Sequence, residues 1–343
     1  MKLKKLILKN FRNFKDSLFE FERVNIIIGP NGRGKSNLLE AVYFLGNAYS
    51  PRLVRTDDLI KWGEDFFYIK GDIEKKEGTL EIEISYKDKK VIKINGKKIN
   101  KKIELINKIP MVIFFPSLSN FLFSSPSKRR YFLDREISKT SLYYYFNLMK
   151  YLALIKRRNI ILKKKDKSLY SYLDTIDEEL VKVGLYIIKE RLDFIKKINK
   201  CITIFSKLFD FGEVYIKYYT RIEDKDEFIR YLTKERSKDI EKGYTRIGPH
   251  RDDFVFLIKG HDAKSFASQG ERKLITLFVV FSLWRMMKKE DLTPILLIDE
   301  LCAELDNKKI EIVSGIIERS EGQIFITSLE DVLYIREKRL IKL

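Results

Sequence analysis

Eight consecutive residues constrain this chain more than any other feature. Gly29-Pro30-Asn31-Gly32-Arg33-Gly34-Lys35-Ser36 fills every position of the G-x-x-x-x-G-K-[ST] pattern. The apolar run Val24–Ile28 precedes it and reads as a buried strand. Asn37–Asn47 follows, with Leu38, Leu39, Ala41, Val42 and Leu45 at helical spacing. Strand, glycine-rich turn and helix in that order are the parts of a phosphate cradle. The glycines let backbone N–H groups wrap the phosphates, and the helix N-terminus adds positive potential. In this pattern Lys35 reaches the β- and γ-phosphates and the Ser36 hydroxyl binds Mg²⁺. The expected nucleotide-binding residues are therefore Gly29 through Ser36, with Asn37 continuing them into the helix.

A second stretch supplies the carboxylates such a cradle needs. Ile295-Leu296-Leu297-Ile298 is an apolar run of the kind found in parallel strands buried on both faces, and it ends in Asp299-Glu300. Asp299 is expected to hold Mg²⁺ together with Ser36. Glu300 is expected to orient or deprotonate the attacking water. Lys35 and Asp299 are 299 − 35 = 264 residues apart, far more than a compact P-loop domain uses. The ATPase is thus expected to be split in sequence around an inserted arm.

The intervening chain has the matching texture. Leu3–Leu8 reads as a strand, and Phe11–Phe21 as a turn leading into a short one. Tyr68–Ile73, Thr79–Tyr86 and Lys90–Ile94 alternate apolar and polar residues, the period of a half-buried antiparallel sheet. Asn95-Gly96 is a hairpin signal, and Pro110–Pro116 reads as one more buried strand. From Ser127 to Lys242 there is no proline, and Leu, Ile, Tyr, Phe and Lys recur with a helical period, interrupted near Gly212–Tyr219. Strand texture returns at Phe254–Ile258. Ser268–Lys289 and Asn307–Glu318 read as helices, and Ile324–Thr327 as a last buried strand. The division expected from this is a head of residues 1–120 and 245–343 and a helical arm or lid of 121–244.

Ser268-Gln269-Gly270-Glu271 opens the long helix. Ser268 and Glu271 have the spacing of a capping box. The same uncharged helix start also suits an anion, such as a γ-phosphate held by a second subunit. Both readings can hold at once.

Composition bears on partners. Lys+Arg is 68 and Asp+Glu 49, a net charge of 68 − 49 = +19. That excess points to a polyanion, nucleic acid first and an anionic membrane second, or to a lysine-rich surface that keeps the protein soluble. Lys89, Lys90, Lys93, Lys97, Lys98, Lys101 and Lys102 crowd one hairpin. Arg129, Arg130, Lys156, Arg157 and Arg158 lie in the arm. Two cysteines, Cys201 and Cys302, make no disulfide framework, and with His250 and His261 they make no zinc cluster. The N-terminus lacks a signal-peptide core, and the longest apolar run, Leu277–Phe281, is far short of a membrane span. A cytoplasmic protein without a membrane partner is expected.

P-loop, Ser-Gln-Gly-Glu, Ile295–Glu300 and then Ala303-Glu304-Leu305-Asp306 occur in the order of the SMC class of ABC-type ATPases. Within that class the chain resembles the RecF family of bacterial recombination mediators over nearly its whole length. The resemblance rests on Leu8-Lys9-Asn10-Phe11-Arg12-Asn13-Phe14, on the loop and its helix, and on Ser50-Pro51-Arg52 through Asp58-Leu59-Ile60. It rests further on Ser127 through Asp134, and most specifically on Arg246-Ile247-Gly248-Pro249-His250-Arg251-Asp252-Asp253. Ser117-Leu118-Ser119 stands where the family usually has an acidic pair, and Asp299-Glu300 where members often have Asp-Asp.

The resemblance implies an α/β fold: an ABC/SMC-type head with a mixed sheet flanked by helices and an antiparallel β layer, plus the inserted arm. It implies ATP and Mg²⁺ as cofactors and weak, DNA-dependent hydrolysis. It also implies an ATP-driven homodimer in which Ser268, Gln269 and Gly270 of one subunit meet the γ-phosphate on Lys35 of the other. Asp306 would line the seam, Thr327 would be the switch after the last core strand, and Arg12 would line the nucleotide or lie on the surface. Such a dimer would clamp gapped duplex or a single-strand/duplex junction. With RecR and RecO it would help load RecA in recombinational gap repair and the SOS response. The alternative is an ATPase subunit of another ABC/SMC-type assembly, including a membrane transporter. A module that binds ATP and scarcely hydrolyses it is a further reading.

Overall fold

The fold comes from a computed structural model, which describes residues 1–343 except 53, 102, 103, 106, 107, 166, 290, 291 and 301–304. Two compact units emerge: residues 1–119, 205–211 and 273–343, and residues 120–204 and 212–272.

The first unit holds two sheets. Strands β1 (Lys2–Phe11), β2 (Phe14–Glu20), β4 (Phe67–Lys75), β5 (Gly78–Tyr86), β6 (Lys90–Ile94) and β7 (Lys97–Ile99) form an antiparallel sheet in the order β2-β1-β4-β5-β6-β7. Their burial alternates along the chain, clearest in β4, where Phe67, Ile69, Gly71 and Ile73 are inside. That is the mark of a sheet with one covered face. Strands β3 (Val24–Ile28), β8 (Met111–Phe114), β12 (Ile295–Ile298), β13 (Ile324–Ser328) and β14 (Arg339–Lys342) form the parallel sheet β14-β3-β13-β12-β8. Every residue of β8, β12 and β13 is buried, as a parallel sheet covered on both faces requires.

The P-loop helix, Lys35–Asn47, contacts strands of both sheets: β1, β4 and β5 of the antiparallel one and β8, β12 and β13 of the parallel one. Eleven of its thirteen residues are buried, so it has almost no polar face. Gly71 makes the approach possible, since a Cβ there would lie 2.2 Å from Leu45. Phe11, Phe44 and Phe67 close the contact with ring centroids 5.4–6.2 Å apart, Phe67 edge-on to both of the others and Phe11 tilted on Phe44. Gln323 joins the sheets by polar means. Its amide oxygen accepts from Leu3 N at 2.7 Å, and its Nε2 donates to Leu3 O and Glu22 O.

The second unit is mainly helical, with Pro126–Thr140, Leu142–Lys164, most of Ser171–Leu208, Lys225–Lys234 and Arg236–Lys242. It also carries the three-stranded sheet of β9 (Val214–Tyr219), β10 (Asp253–Ile258) and β11 (His261–Asp262). This sheet moves the expected division of the chain. β9 pairs with β10 along its whole length, Val214 opposite Ile258 through Tyr219 opposite Asp253, so residues 245–272 cluster with the insert rather than with the head. The end of the long helix and the residues just after it, 205–211, cluster with the first unit instead, where Phe205 and Phe209 meet Phe281 and Phe278 with tilted rings.

Two further expectations shift. The segment Pro110–Pro116 is strand only to Phe114, because Pro116 opens a helix to Leu122, at the position where its fixed φ is pre-organised. The closing strand β14 was not expected, since Arg-Leu-Ile-Lys alternates too briefly to signal itself. Among the described residues no helix is long and apolar enough to cross a membrane.

Candidate nucleotide site and its relatives

The order of the parallel sheet assembles the site. β13 lies between β3 and β12, so the carboxyl ends of all three strands meet. β3 runs into the loop Gly29–Gly34, β12 runs into Asp299-Glu300, and β13 carries Thr327. Ligands of open α/β sheets bind at such strand ends.

The loop has the backbone its glycines allow. Gly29, Gly32 and Gly34 have φ of 151°, 81° and 103°, and Gly34 is the left-handed N-cap of the P-loop helix. A Cβ at Gly29 would lie 2.5 Å from Leu343 O, so the close approach excludes any larger residue. Asn13, in the β1–β2 turn, braces the loop from outside. Its Nδ2 donates to Arg33 O at 3.2 Å, and its Oδ1 accepts from Asn37 Nδ2 at 2.8 Å.

Lys35 is 5% exposed, and its ammonium donates to Gly29 O at 2.6 Å, Pro30 O at 3.0 Å and Asn31 Oδ1 at 3.5 Å. Asp299, equally buried, accepts on Oδ1 from Ser36 Oγ at 2.9 Å and from Thr327 Oγ1 at 2.7 Å. Thr327 Oγ1 in turn accepts from Glu300 N at 2.8 Å, and Glu300 takes a left-handed φ of 52° with its side chain exposed. One cluster thus unites Lys35, Ser36, Asp299, Glu300 and Thr327. Among the described residues neither Lys35 nor Asp299 has an ion-pair partner. A buried ammonium and a buried carboxylate that face only neutral oxygens suit a triphosphate and a hard divalent cation, the charges each one lacks. Among the described residues no cluster of three His, Cys, Asp or Glu side chains forms a ready metal cage. Mg²⁺ fits that picture, since it takes one or two protein oxygens with the rest from phosphates and water.

Arg12 stands one shell away. Its guanidinium binds Glu40 in bidentate fashion, Nε to Oε2 at 2.9 Å and Nη2 to Oε1 at 3.0 Å, and donates to Asp58 O at 2.8 Å. Arg52 lies 3.6 Å from the same carboxylate and donates to Asn37 Oδ1 at 3.3 Å. Glu40, 1% exposed, is a residue the sequence reading missed. Its signal was a lone carboxylate within an otherwise apolar helix face, four residues after Ser36.

Ser268, Gln269 and Gly270 belong to the second unit and are exposed. Ser268 makes the full capping box, its N donating to Glu271 Oε2 at 2.8 Å and its Oγ accepting from Glu271 N at 3.2 Å. These bonds to Ser268 hold the Glu271 carboxyl below its ordinary range. Asp306 is exposed and caps the helix Asn307–Glu318 through Lys309 N at 2.9 Å. Ala303 and Glu304 lie outside the described residues, as do Cys302 and Lys102.

The run Arg246–Asp253 is tied into the second unit by hydrogen bonds and ion pairs. His250 Nδ1 meets Tyr151 Oη at 2.8 Å and Nε2 meets Thr245 O at 3.0 Å, and burial pulls its pKa down to about 4. Pro249 O accepts from Arg191, Asp252 Oδ2 from Tyr218 Oη, and Asp253 pairs with Arg129. Gly248, with φ 137°, passes so close to Tyr151 Oη that a Cβ would lie 2.3 Å away.

The same geometry corrects the pool of basic residues expected for a polyanion. Arg158 is fully buried between Asp177 and Asp239, each at 2.7 Å. Arg129 is buried on Asp253. Lys90 donates to Ala48 O at 2.6 Å over the Phe44 ring. Lys89, Lys93, Lys97, Lys98, Lys101, Lys156 and Arg157 remain exposed.

Residues 2–343 match the family described as RecF/RecN/SMC N terminal domain. The chain is 36% identical over 349 residues to the DNA replication and repair protein RecF of Clostridium tetani (strain Massachusetts / E88), covering 97% of this chain and 94% of that protein. The chain belongs to the RecF family. A RecF protein of Clostridium botulinum (strain Alaska E43 / Type E3) is 38% identical over 354 residues. Among solved structures, the recombination mediator protein RecF-ATP in the RecFOR pathway superposes with a TM-score of 0.86 at 33% identity, over 96% of this chain and 92% of that one. An SMC head bound to the C-winged helix domain of ScpA shares the fold, with a TM-score of 0.59 at 18% identity. RecF proteins are ABC/SMC-type P-loop ATPases, and the mixed α/β architecture of this RecF-type chain is theirs.

Proposed function

We propose that the chain is an ATP-gated DNA clamp that works, as its RecF relatives are named for doing, in DNA replication and repair. The observation that carries this is the single cluster of Lys35, Ser36, Asp299, Glu300 and Thr327 within a RecF-type fold. Lys35 and the loop N–H groups bind the phosphates of ATP. Ser36 Oγ and Asp299 hold Mg²⁺, which screens the phosphate charge when bound. Asp299 is kept in place by Thr327, and the backbone of Glu300 is fixed by the same hydroxyl. The exposed Glu300 carboxylate orients the attacking water. The neutral hydroxyl at Thr327 suits slow hydrolysis.

In a homodimer, Ser268, Gln269 and Gly270 of one copy close over the γ-phosphate held by the other, and Asp306 lines the seam. ATP then drives association because it binds the dimer better than the monomer, the only way a ligand shifts such an equilibrium. The exposed lysines supply salt-dependent, sequence-blind phosphate contacts to gapped or junction DNA. RecR and RecO are the partners through which the clamp helps load RecA, in the cytoplasm.

Fluorescence anisotropy of a labelled gapped duplex, in ATP, in ADP and without nucleotide, at two salt concentrations, tests this. Tight, salt-sensitive binding only in ATP, lost in Lys35→Met and in Ser268→Arg, is expected. Equal binding in all three states would remove the ATP gate.

A further inference from the structure

The helix Leu142–Lys164 in the second unit is apolar on two opposite faces, and only one of them is covered. Tyr144, Leu148, Tyr151, Leu154, Ile155 and Leu162 turn inward and are buried, together with Arg158. On the other side Leu142, Phe146, Met149 and Ile160 are 43–51% exposed. Ala153 and Lys156, in the same line, are exposed too. A helix with apolar residues on opposite faces normally has both covered. Here the outward one stands in water, and a contiguous apolar strip of this kind marks an interaction surface.

The spacing of the strip selects the secondary structure of what covers it. Leu142, Phe146, Met149, Ala153, Lys156 and Ile160 follow one another at intervals of four, three, four, three and four residues. That is the a/d period of a coiled coil, broken only by Lys156, and it offers knobs and holes to one further helix. Nucleic-acid bases need flat rings to stack on, and in this strip only Phe146 has one.

The flanks select the charge. Lys150, Arg157 and Lys164 form the row along one side of the seam, at e positions, and the uncharged Tyr145, Leu152 and Asn159 form the row along the other. Arg157 and Lys164 are exposed, while Lys150 reaches Glu179 of the neighbouring helix Ser171–Leu208. A second copy of this helix is a poor match. Packed antiparallel, it sets the cationic row on itself; packed parallel, it sets that row against the uncharged one. A row of carboxylates on a different chain is the complement.

We propose that the outward face of Leu142–Lys164 is the docking site for an amphipathic helix of another protein, apolar at its a and d positions and flanked by Asp or Glu. Phe146 and Met149 are its apolar anchors, and Arg157 and Lys164 fix the direction in which the acidic helix lies. The nucleotide site takes no part.

A fluorescein-labelled peptide of three heptads, with Leu at every a and d and Glu at every e and g, tests this by anisotropy against the full-length chain. Its own glutamates keep it from pairing with itself at neutral pH. A twin with Lys in place of Glu is the control. The glutamate peptide is expected to bind, and the lysine twin to bind about tenfold more weakly at low salt. Phe146→Ser combined with Met149→Ser is expected to weaken the glutamate peptide by at least about tenfold. Both residues are exposed, so the urea stability of that variant is expected to match the parent. Arg157→Glu combined with Lys164→Glu is expected to reverse the preference between the two peptides. Absence of binding by the glutamate peptide overturns the proposal, and so does equal binding of the twins or binding untouched by the two serines. An equal loss of gapped-duplex affinity in the serine variant, which changes no charge, would make the face a nucleic-acid surface instead. Loss of a nucleotide-free dimer in sedimentation would make it a contact between copies. Either result also overturns the proposal.

Discussion

Two buried polar clusters, one in each unit, are built on opposite electrostatic plans. In the first unit, Lys35 and Asp299 face carbonyls and hydroxyls and lack counter-charges among the described residues. In the second, Arg158 is closed by Asp177 and Asp239, and Arg191 by Asp134 and Pro249 O with Tyr218 Oη. These two buried arginines are satisfied internally, so they hold the fold and are not free to capture a ligand. The P-loop charges are left to be completed from outside. An uncompensated buried charge costs stability, and that cost is tolerated where a ligand's phosphate and cation restore the balance.

Breaking the internal plan should cost the most. Arg158→Ala removes the cation that Asp177 and Asp239 share, leaving each with one partly exposed arginine, Arg236 and Arg246 respectively, and is expected to lower unfolding stability by about 3 kcal/mol. Urea titration of the parent and the variant reads this. Retention of full stability in Arg158→Ala would erase the contrast.

The next effect is the pH dependence carried by His250. Burial holds it neutral with a pKa of about 4, against an ordinary 6.5. The unfolded chain therefore binds the extra proton between those values. The stabilising contribution is complete above pH 6.5 and is lost as pH falls through 4, a change of about 3 kcal/mol. The parent's acid-side loss of stability should be blunted in His250→Gln.

Lys35→Met probes the outward-facing plan. ATP affinity should fall about 100-fold, or ~2.7 kcal/mol, while urea stability holds or rises, because an uncompensated charge has been removed. A large loss of stability here would mean that the lysine is structural after all.

The smallest effect concerns the signature helix. Ser268→Ala removes the hydroxyl half of the capping box and should cost about 1 kcal/mol of stability. Its effect on ATP-gated DNA binding should exceed that, since the same hydroxyl is proposed to meet a partner's phosphate.

Much of this was legible in the chain. The strands Val24–Ile28, Lys90–Ile94 and Ile295–Ile298 and the helix Asn307–Glu318 fall where apolar period and caps place them. The Asn95-Gly96 hairpin does too, with both residues at positive φ. What escaped was non-local. Glu40 looked like one more helix residue until Arg12, from a turn 28 residues earlier, came to lie on it. The lysine and arginine clusters looked uniform, yet Arg158 is inside and Arg157 outside, a distinction set by which face of Leu142–Lys164 meets its neighbours. The Arg246–Asp253 run read as a family mark without a function, and its hydrogen bonds show a lattice that braces the insert.

By itself, then, the sequence determined the phosphate cradle, the acidic strand end and the capped signature helix. Each of these is written in adjacent residues whose backbone conformation and hydrogen bonds are local. Tertiary structure alone decided that Thr327 would tie Asp299 to Glu300 and that residues 245–272 would join the insert. Those outcomes depend on strand order and on β9 finding β10 across more than thirty residues, and the pairing energies that choose between such arrangements belong to contacts no short stretch of chain contains.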